Sequence, residues 1–215
     1  MRLPPEPGET SVRARAVHEA RDRPVHPAVL AAMRATTPAQ ERSLEALAAG
    51  VAVVTGQQAG LFGGPLYTVY KAAAAIRDAA ALQAETGVPC APVFWLQDED
   101  HDFDEIAHVT LLSTPGELVE ARLPAAAGDE ARSVGARRLG DGVLAALHTL
   151  EQAVGDRPHG AETVALHRKV YAPERSVSDA FRGWIERLFA RHGLLVLDPR
   201  DPALIEAARP VHREA

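Results

Sequence analysis

Short apolar runs alternate along this chain with stretches whose apolar positions recur every three to four residues, a pattern that predicts strands separated by helices. Val51–Val54 is a β-branched run suited to a strand buried on both faces, ended by Thr55 and Gly56. The alanine-rich stretch from Pro65 to Glu85, with Leu66, Val69, Ile76 and Leu82, predicts a helix that stops at Gly87. Ala91–Gln97 reads as a second strand, and a strand–helix–strand unit of this length implies a parallel pair. Upstream, Val29, Leu30, Met33, Leu44 and Leu47 give two short helices between Pro27 and Ala49, with Thr37 capping and Pro38 opening the second.

Downstream, His108–Leu112 and Val119–Leu123 flank Ser113-Thr-Pro-Gly116 as a hairpin. A small-residue loop follows at Ala125–Asp129, then a helix at Gly142–Val154 with Val143, Leu144, Leu147 and Leu150 on its stripe, then a loop over 155–163. Phe181, Trp184, Ile185, Leu188 and Phe189 mark an amphipathic helix from Val177 to His192, capped by Gly193. Leu194–Leu197 is a third parallel strand, and Asp201-Pro202 opens a last helix. The expected fold is α/β, a Rossmann-like parallel sheet in a core domain at 27–215, with an inserted small β/α element at about 107–175 and a loose arm at 1–26 that is rich in proline and glutamate over 1–11.

Composition narrows the function classes. A hydrophobic fraction of 47% and a charged fraction of 24% over 215 residues are those of an ordinary globular protein with a full core. The net charge of −6 offers no basic footprint, so nucleic acid is not an expected partner. The single cysteine, Cys90, forms no intrachain disulfide and reads as a small buried residue in a reducing compartment. No apolar run is long enough to span a membrane and the first residues carry no hydrophobic targeting segment, so the cytoplasm is the expected location.

Candidate chemistry lies in two stretches. In the first, Thr55, Gly56, Gln57, Gln58, Gly60, Gly63 and Gly64 lead from the first strand to Pro65, the expected first helical residue. The glycines permit positive φ and close approach, and the N–H groups and dipole of a helix start favour an anion. Tyr67, Tyr70 and Lys71 share a helix face, so Lys71 could reach that anion; the bland alternative is a tight turn with a snorkelling lysine. The stretch is neither a Walker A loop nor G-x-G-x-x-G. A β-branched residue at Gly63 is expected to abolish anion binding with the fold intact.

In the second stretch, Gln97-Asp-Glu-Asp-His-Asp-Phe-Asp-Glu105 follows the second strand directly, where open α/β sheets bind ligands. Six of the eight residues from Asp98 to Glu105 are acidic, and such crowding resists ionisation, which suits Asp100 and His101 to act as a general base or to seat an ammonium group. The alternative is a helix N-terminus capped by some of these acids. Asp100, His101, Asp102 and His108 could approach a metal ion but lack established ligand spacing, so no metal is expected. Asp198, after the third strand, is either a hydroxyl acceptor or the opening of the Asp-Pro-Arg-Asp-Pro turn. Arg137 and Arg138 read as a solvated face, and His18, His26, His159 and His167 as unpaired.

Thr-Gly-Gln-Gln-Ala-Gly-Leu-Phe-Gly-Gly-Pro-Leu-Tyr-Thr-Val-Tyr-Lys71 and Val-Phe-Trp-Leu-Gln-Asp-Glu-Asp-His-Asp-Phe-Asp-Glu105 together resemble the bacillithiol biosynthesis cysteine-adding enzyme family. The likeness continues through Ser133-Val-Gly-Ala-Arg-Arg-Leu139 and from Ser178-Asp-Ala-Phe to Leu-Leu-Val-Leu-Asp198. The resemblance implies a Rossmann-type core with inserted connecting segments and a C-terminal coiled coil, and a ligase that joins cysteine to glucosaminyl-malate. Members are more than twice as long as this chain. The expectation is therefore an N-terminal part, inactive alone, truncated before the second half of the core and partnered by a missing C-terminal half or by further copies of itself.

Amide formation needs an activated carboxyl and a deprotonated amine. A nucleoside triphosphate such as ATP is the simplest activator, although the loop lacks the His-x-Gly-His pattern of adenylyl-transferring Rossmann enzymes and no cosubstrate is assigned. In this reading Lys71, Gln57 and Gln58 hold the anionic partner while His101 and Asp100 handle the amine. Two other classes remain open: a nucleotide- or metabolite-binding module without turnover, and a sugar-handling transferase.

Overall fold

The computed structural model describes residues 10–125, 128–129 and 131–214. In chain order it contains α1 (Thr10–Arg21), α2 (Pro27–Ala32), α3 (Pro38–Ala49), β1 (Val51–Gln58), α4 (Tyr67–Thr86), β2 (Cys90–Gln97) and α5 (Phe103–Ile106). Then come β3 (His108–Leu112), β4 (Leu118–Arg122), α6 (Gly142–Val154), α7 (Gly160–Val170), α8 (Val177–Phe189), β5 (Leu195–Leu197) and α9 (Pro202–Glu214). The chain divides into two compact units, one of residues 1–56, 69–95 and 189–215, the other of 57–68 and 96–188.

The first unit is built on a sheet of order β1-β2-β5. Val51 N–H donates to Pro89 O (2.9 Å) and Ala59 N–H to Gln97 O (3.3 Å), so partners advance together along the chain and β1 and β2 are parallel. β2 and β5 are parallel as well, with Val93 opposite Leu195. Successive side chains of a strand point to opposite faces, and β2 shows the consequence. Ala91 and Val93 pack with Ala32, Met33, Leu47, Leu195 and Leu197, whereas Cys90 packs with Val17, Val51, Ala79, Leu82 and Val88. Helices thus cover both faces, as a parallel sheet requires.

Several local devices follow the sequence. Thr37 Oγ1 accepts from Gln40 N–H (3.2 Å) with Pro38 in the first turn, and Gly87 ends α4 at φ 70° with its N–H on Gln83 O (2.9 Å). The strand and helix bounds differ in two places. β1 does not end at Thr55 and Gly56 but runs on to Gln58, because the Ala59–Gln97 bond extends the ladder, and α4 begins at Tyr67 rather than Pro65. The expected loose arm is corrected in part: residues 1–9 lie outside the described residues, but Thr10–Arg21 is a helix whose Val17 is buried beside α4 and whose Arg13 pairs with Asp78 at 2.9 Å.

Gln40 is fully buried although polar. Its Oε1 accepts from Thr36 N–H (3.0 Å) and its Nε2 donates to Leu194 O (2.9 Å), tying α3 to the entry of β5. Gln40→Leu takes the donor from the carbonyl of buried Leu194, a loss that costs about 1–3 kcal/mol. Chemical denaturation should show a loss of about 2 kcal/mol or more.

In the second unit, β3 and β4 form the expected hairpin, antiparallel with Leu112 opposite Leu118, and Gly116 at φ 92° makes its turn. α6 packs on the hairpin and on α7 through Val143, Ala146, Leu147, Leu150 and Ala153. Leu144, placed on that stripe by its spacing, is exposed instead. The expected small-residue loop includes Ala126 and Ala127, which lie outside the described residues. α8 buries Val177, Phe181, Trp184 and Ile185, as its periodicity requires.

Candidate functional site

The glycine-rich stretch belongs mainly to the second unit. After Gln58, Gly60 leads into a tight turn over Leu61–Gly63, in which Phe62 (φ 52°), Gly63 (φ 91°) and Gly64 (φ 66°) are left-handed. Leu61, Phe62 and Gly63 are buried, while Pro65, Leu66 and Tyr67 are exposed. The loop amides are not all open to an anion: Gly64 N–H donates to Leu61 O (2.9 Å) and Gly63 N–H donates to Tyr171 Oη (2.9 Å). The same hydroxyl donates to Gly60 O at 3.1 Å. Gly60 and Gly63 therefore shape the turn from inside, and the accessible part is Gly64–Tyr67 together with Gln57 and Gln58.

Aromatic rings close the inner side. Phe62 meets His167 and Tyr171 edge-on, with ring centroids 5.3 and 5.2 Å away. A β-carbon on Gly63 would lie within 2.7 Å of three ring atoms of Trp184. Burial lowers the His167 pKa below its ordinary 6.5, partly offset by hydrogen bonds with the Thr163 and Phe62 backbone, and burial pushes the Tyr171 hydroxyl well above its usual range. The folded chain thus binds a proton at His167 less readily than the unfolded chain. Stability from this group is complete above pH 6.5 and declines as pH falls through the window below it. A wild-type denaturation midpoint that drops from about pH 7.5 to about pH 5 more than that of His167→Asn is the expected signature.

The acidic stretch is arranged by hydrogen bonds rather than by crowding. Asp98 is fully buried and contacts Ser178 Oγ, and its backbone carbonyl accepts from Gly135 N–H at 3.1 Å. Asp100 O accepts from Val134 N–H (2.7 Å), Asp100 Oδ1 accepts from the N–H groups of His101 (2.6 Å) and Asp102 (3.3 Å), and Asp100 Oδ2 accepts from Gln58 Nε2 (2.9 Å). Those backbone donors, His101 first, hold the Asp100 carboxyl below its usual range. This reverses the expected resistance to ionisation at Asp100: N–H donors stabilise the carboxylate. Asp102 caps α5 by accepting from Glu105 N–H (3.2 Å), the alternative foreseen for such acids.

Gln58 and Asp100 join the ends of β1 and β2, and the exposed His101 side chain stands beside that junction in sequence. Arg137, read as part of a solvated face, is buried instead. Its Nη2 donates to His101 O (3.4 Å), its Nε to Arg132 O (3.3 Å), and its guanidinium lies over the Phe103 ring, 4.8 Å from the centroid. Among the described residues no three His, Cys, Asp or Glu side chains are grouped to hold a metal ion. No helix among them is long and apolar enough to cross a membrane.

Of the remaining sequence candidates, Thr55, Gly56, Lys71 and Asp198 belong to the first unit. Thr55 and Gly56 lie within β1, and Lys71 Nζ donates to Gly56 O at 3.1 Å. Asp198 follows β5, where its Oδ1 accepts from Arg200 N–H (2.9 Å) and its Oδ2 pairs with the guanidinium (3.4 Å), a turn arrangement. Tyr67, in the second unit, opens α4 and is exposed.

Residues 13–215 match the family model described as Bacillithiol biosynthesis BshC, N-terminal Rossmann-like domain. The chain belongs to this family. Relatives that carry the name "Putative cysteine ligase BshC" include those of Salinibacter ruber, 36% identical over 76% of this chain, and Koribacter versatilis, 39% identical over 76% of it. In each case the match covers 30% of the relative's length. That of Heliobacterium modesticaldum is 38% identical over 69% of this chain and 27% of its own length. The Rossmann-like fold expected from the strand pattern is thus the family's.

This BshC-family domain uses residues the sequence reading passed over. His167 lies on α7 and Tyr171 just after it, and the first residues of that helix, Gly160–Thr163, fall in the stretch 155–163 expected as a loop. Val164, His167, Val170 and Tyr171 recur at helical spacing, and that signal identifies the buried face.

Proposed function

We propose that this chain takes part in joining cysteine to glucosaminyl-malate through an amide bond, as a ligase acting in the cytoplasm. The observation that carries the reading is the convergence, within one unit, of segments 57–68, 97–105, 133–139 and Ser178 through the Gln58–Asp100, Asp100–Val134, Asp98–Gly135 and Asp98–Ser178 contacts. Asp100, held as a carboxylate, seats the ammonium of the amine substrate, and His101 removes its proton as general base. Gln57, Gln58 and the exposed Pro65–Tyr67 segment at the start of α4 hold the anionic partner through side-chain and backbone amide donors and the helix dipole. The carboxyl is activated by a cosubstrate, a nucleoside triphosphate being the simplest choice.

The matched segment is about a third of the length of these relatives, and a pocket normally surrounds most of its ligand. We therefore infer that residues 27–215 act as a core domain, with 107–175 as its inserted segment, and that turnover requires a further segment or further copies of the chain. The test is incubation with cysteine, glucosaminyl-malate and ATP, with and without the co-expressed remainder of a BshC relative, read by product mass. Product in the paired reaction alone is expected. Product from the chain by itself removes the need for a partner, and specific nucleotide or metabolite binding with no product in either reaction favours a non-catalytic binding module.

A further inference from the structure

We propose that Tyr171 is a positioning residue whose hydroxyl holds the Gly60–Gly63 turn in the form that presents Gln57, Gln58 and the Gly64–Tyr67 segment to an anionic substrate group. The inference rests on the reading of this loop as an anion seat. A tyrosine hydroxyl has one proton to donate, and here it goes to Gly60 O (3.1 Å) while the oxygen accepts from Gly63 N–H (2.9 Å). One side chain therefore spans both ends of the turn.

The group that does this is itself fixed. Tyr171 is fully buried, stacked against His167 at 5.9 Å and edge-on to Phe62 at 5.2 Å, and His167 Nδ1 is bonded to Thr163 O at 2.7 Å. The turn needs such a clamp. Phe62 is a bulky residue at φ 52°, a region that non-glycine residues hold only where the surroundings over-determine them. Without the hydroxyl, Gly63 N–H keeps only its longer contact with Gly60 O at 3.3 Å, and Phe62 is free to leave the left-handed region. The accessible segment begins at the next residue, so its placement follows that of the turn.

Tyr171→Phe keeps the ring and removes the hydroxyl. Amide exchange by NMR should be about ten-fold faster at Gly63 and unchanged in β2, and calorimetric affinity for inorganic phosphate should fall about five-fold in the folded variant. Packing alone would speed exchange across the whole unit and leave phosphate affinity intact, which overturns the proposal. The wild type gives an independent reading. Coupling is reciprocal, so saturating phosphate should slow Gly63 exchange several-fold, and no change there also overturns it. A wild type that binds no phosphate rejects the anion-seat reading; the clamp then stands if Gly63 exchange accelerates in Tyr171→Phe and falls if it does not.

Discussion

Gly63→Val should destabilise the chain by roughly 3 kcal/mol or more, combining overpacking with left-handed strain. The position at φ 91° is one that side chains rarely adopt, and a β-carbon there meets the Trp184 ring within 2.7 Å at three atoms. Trp184 cannot retreat cheaply, because it is buried and its ring lies 5.7 Å from Phe181 and 6.4 Å from His167. Native domains are stable by only about 5–15 kcal/mol, so the loss is a large part of the total. Gly64→Ala separates the two causes: the nearest atom to its β-carbon is Gly60 Cα at 3.8 Å, leaving only the strain of a backbone at φ 66°, ψ −148°, about 1–3 kcal/mol. Denaturation midpoints should therefore rank wild type, Gly64→Ala, Gly63→Val. Equal losses in the two variants would show that Trp184 does not confine the loop. The ranking also corrects the expectation that Gly63→Val spares the fold, since a positive φ was legible in the glycine pattern but the indole behind it was not.

That contrast shows where sequence reasoning stopped. Val51–Val54, Ala91–Gln97 and Leu194–Leu197 were legible as neighbouring parallel strands because a doubly covered sheet demands continuous apolar runs, and α8 was legible because its stripe spans several turns. Spacing reports which face of an element is apolar, not what it meets. It could not show that Arg137 would be drawn into a buried site by Phe103 and two carbonyls, or that the Asp100 carboxylate would be stabilised by neighbouring N–H groups. Nor could it show Tyr171 bonding to a loop 108 residues earlier in the chain. The candidate site was readable as two segments, and the two further segments that support them had carried only likeness.

The second large effect is expected at Gly135. Its β-carbon would fall within 2.7 Å of Ser178 Oγ and of Asp98 Cβ and Oδ2, so Gly135→Ala must push apart the segment after β2, the Ser133–Leu139 segment and the start of α8. Overpacking of this kind costs about 1–3 kcal/mol, and disturbing the buried Asp98–Ser178 hydrogen bond adds about 1 kcal/mol, for a total near 3 kcal/mol. Gly183→Ala in α8 is the control. Its β-carbon would sit at ordinary contact distances of 3.4 and 3.6 Å from Val170, and replacing a mid-helix glycine by alanine gains about 0.5–1 kcal/mol. Opposite shifts of the denaturation midpoint are thus expected from the same one-methyl change at two glycines of one unit. The site should register the difference as well. Gly135 N–H and Val134 N–H bond to Asp98 O and Asp100 O, so displacing this strand-like contact moves the backbone that aims Asp100 at Gln58. In a titration of the Asp100 carboxyl by NMR, Gly135→Ala should raise its pKa toward the ordinary carboxylate value as the His101 and Asp102 donors and Gln58 loosen, while Gly183→Ala leaves it in place. An unchanged Asp100 titration in a folded Gly135→Ala chain would mean that the segment after β2 holds its shape without the support of the Ser133–Leu139 segment.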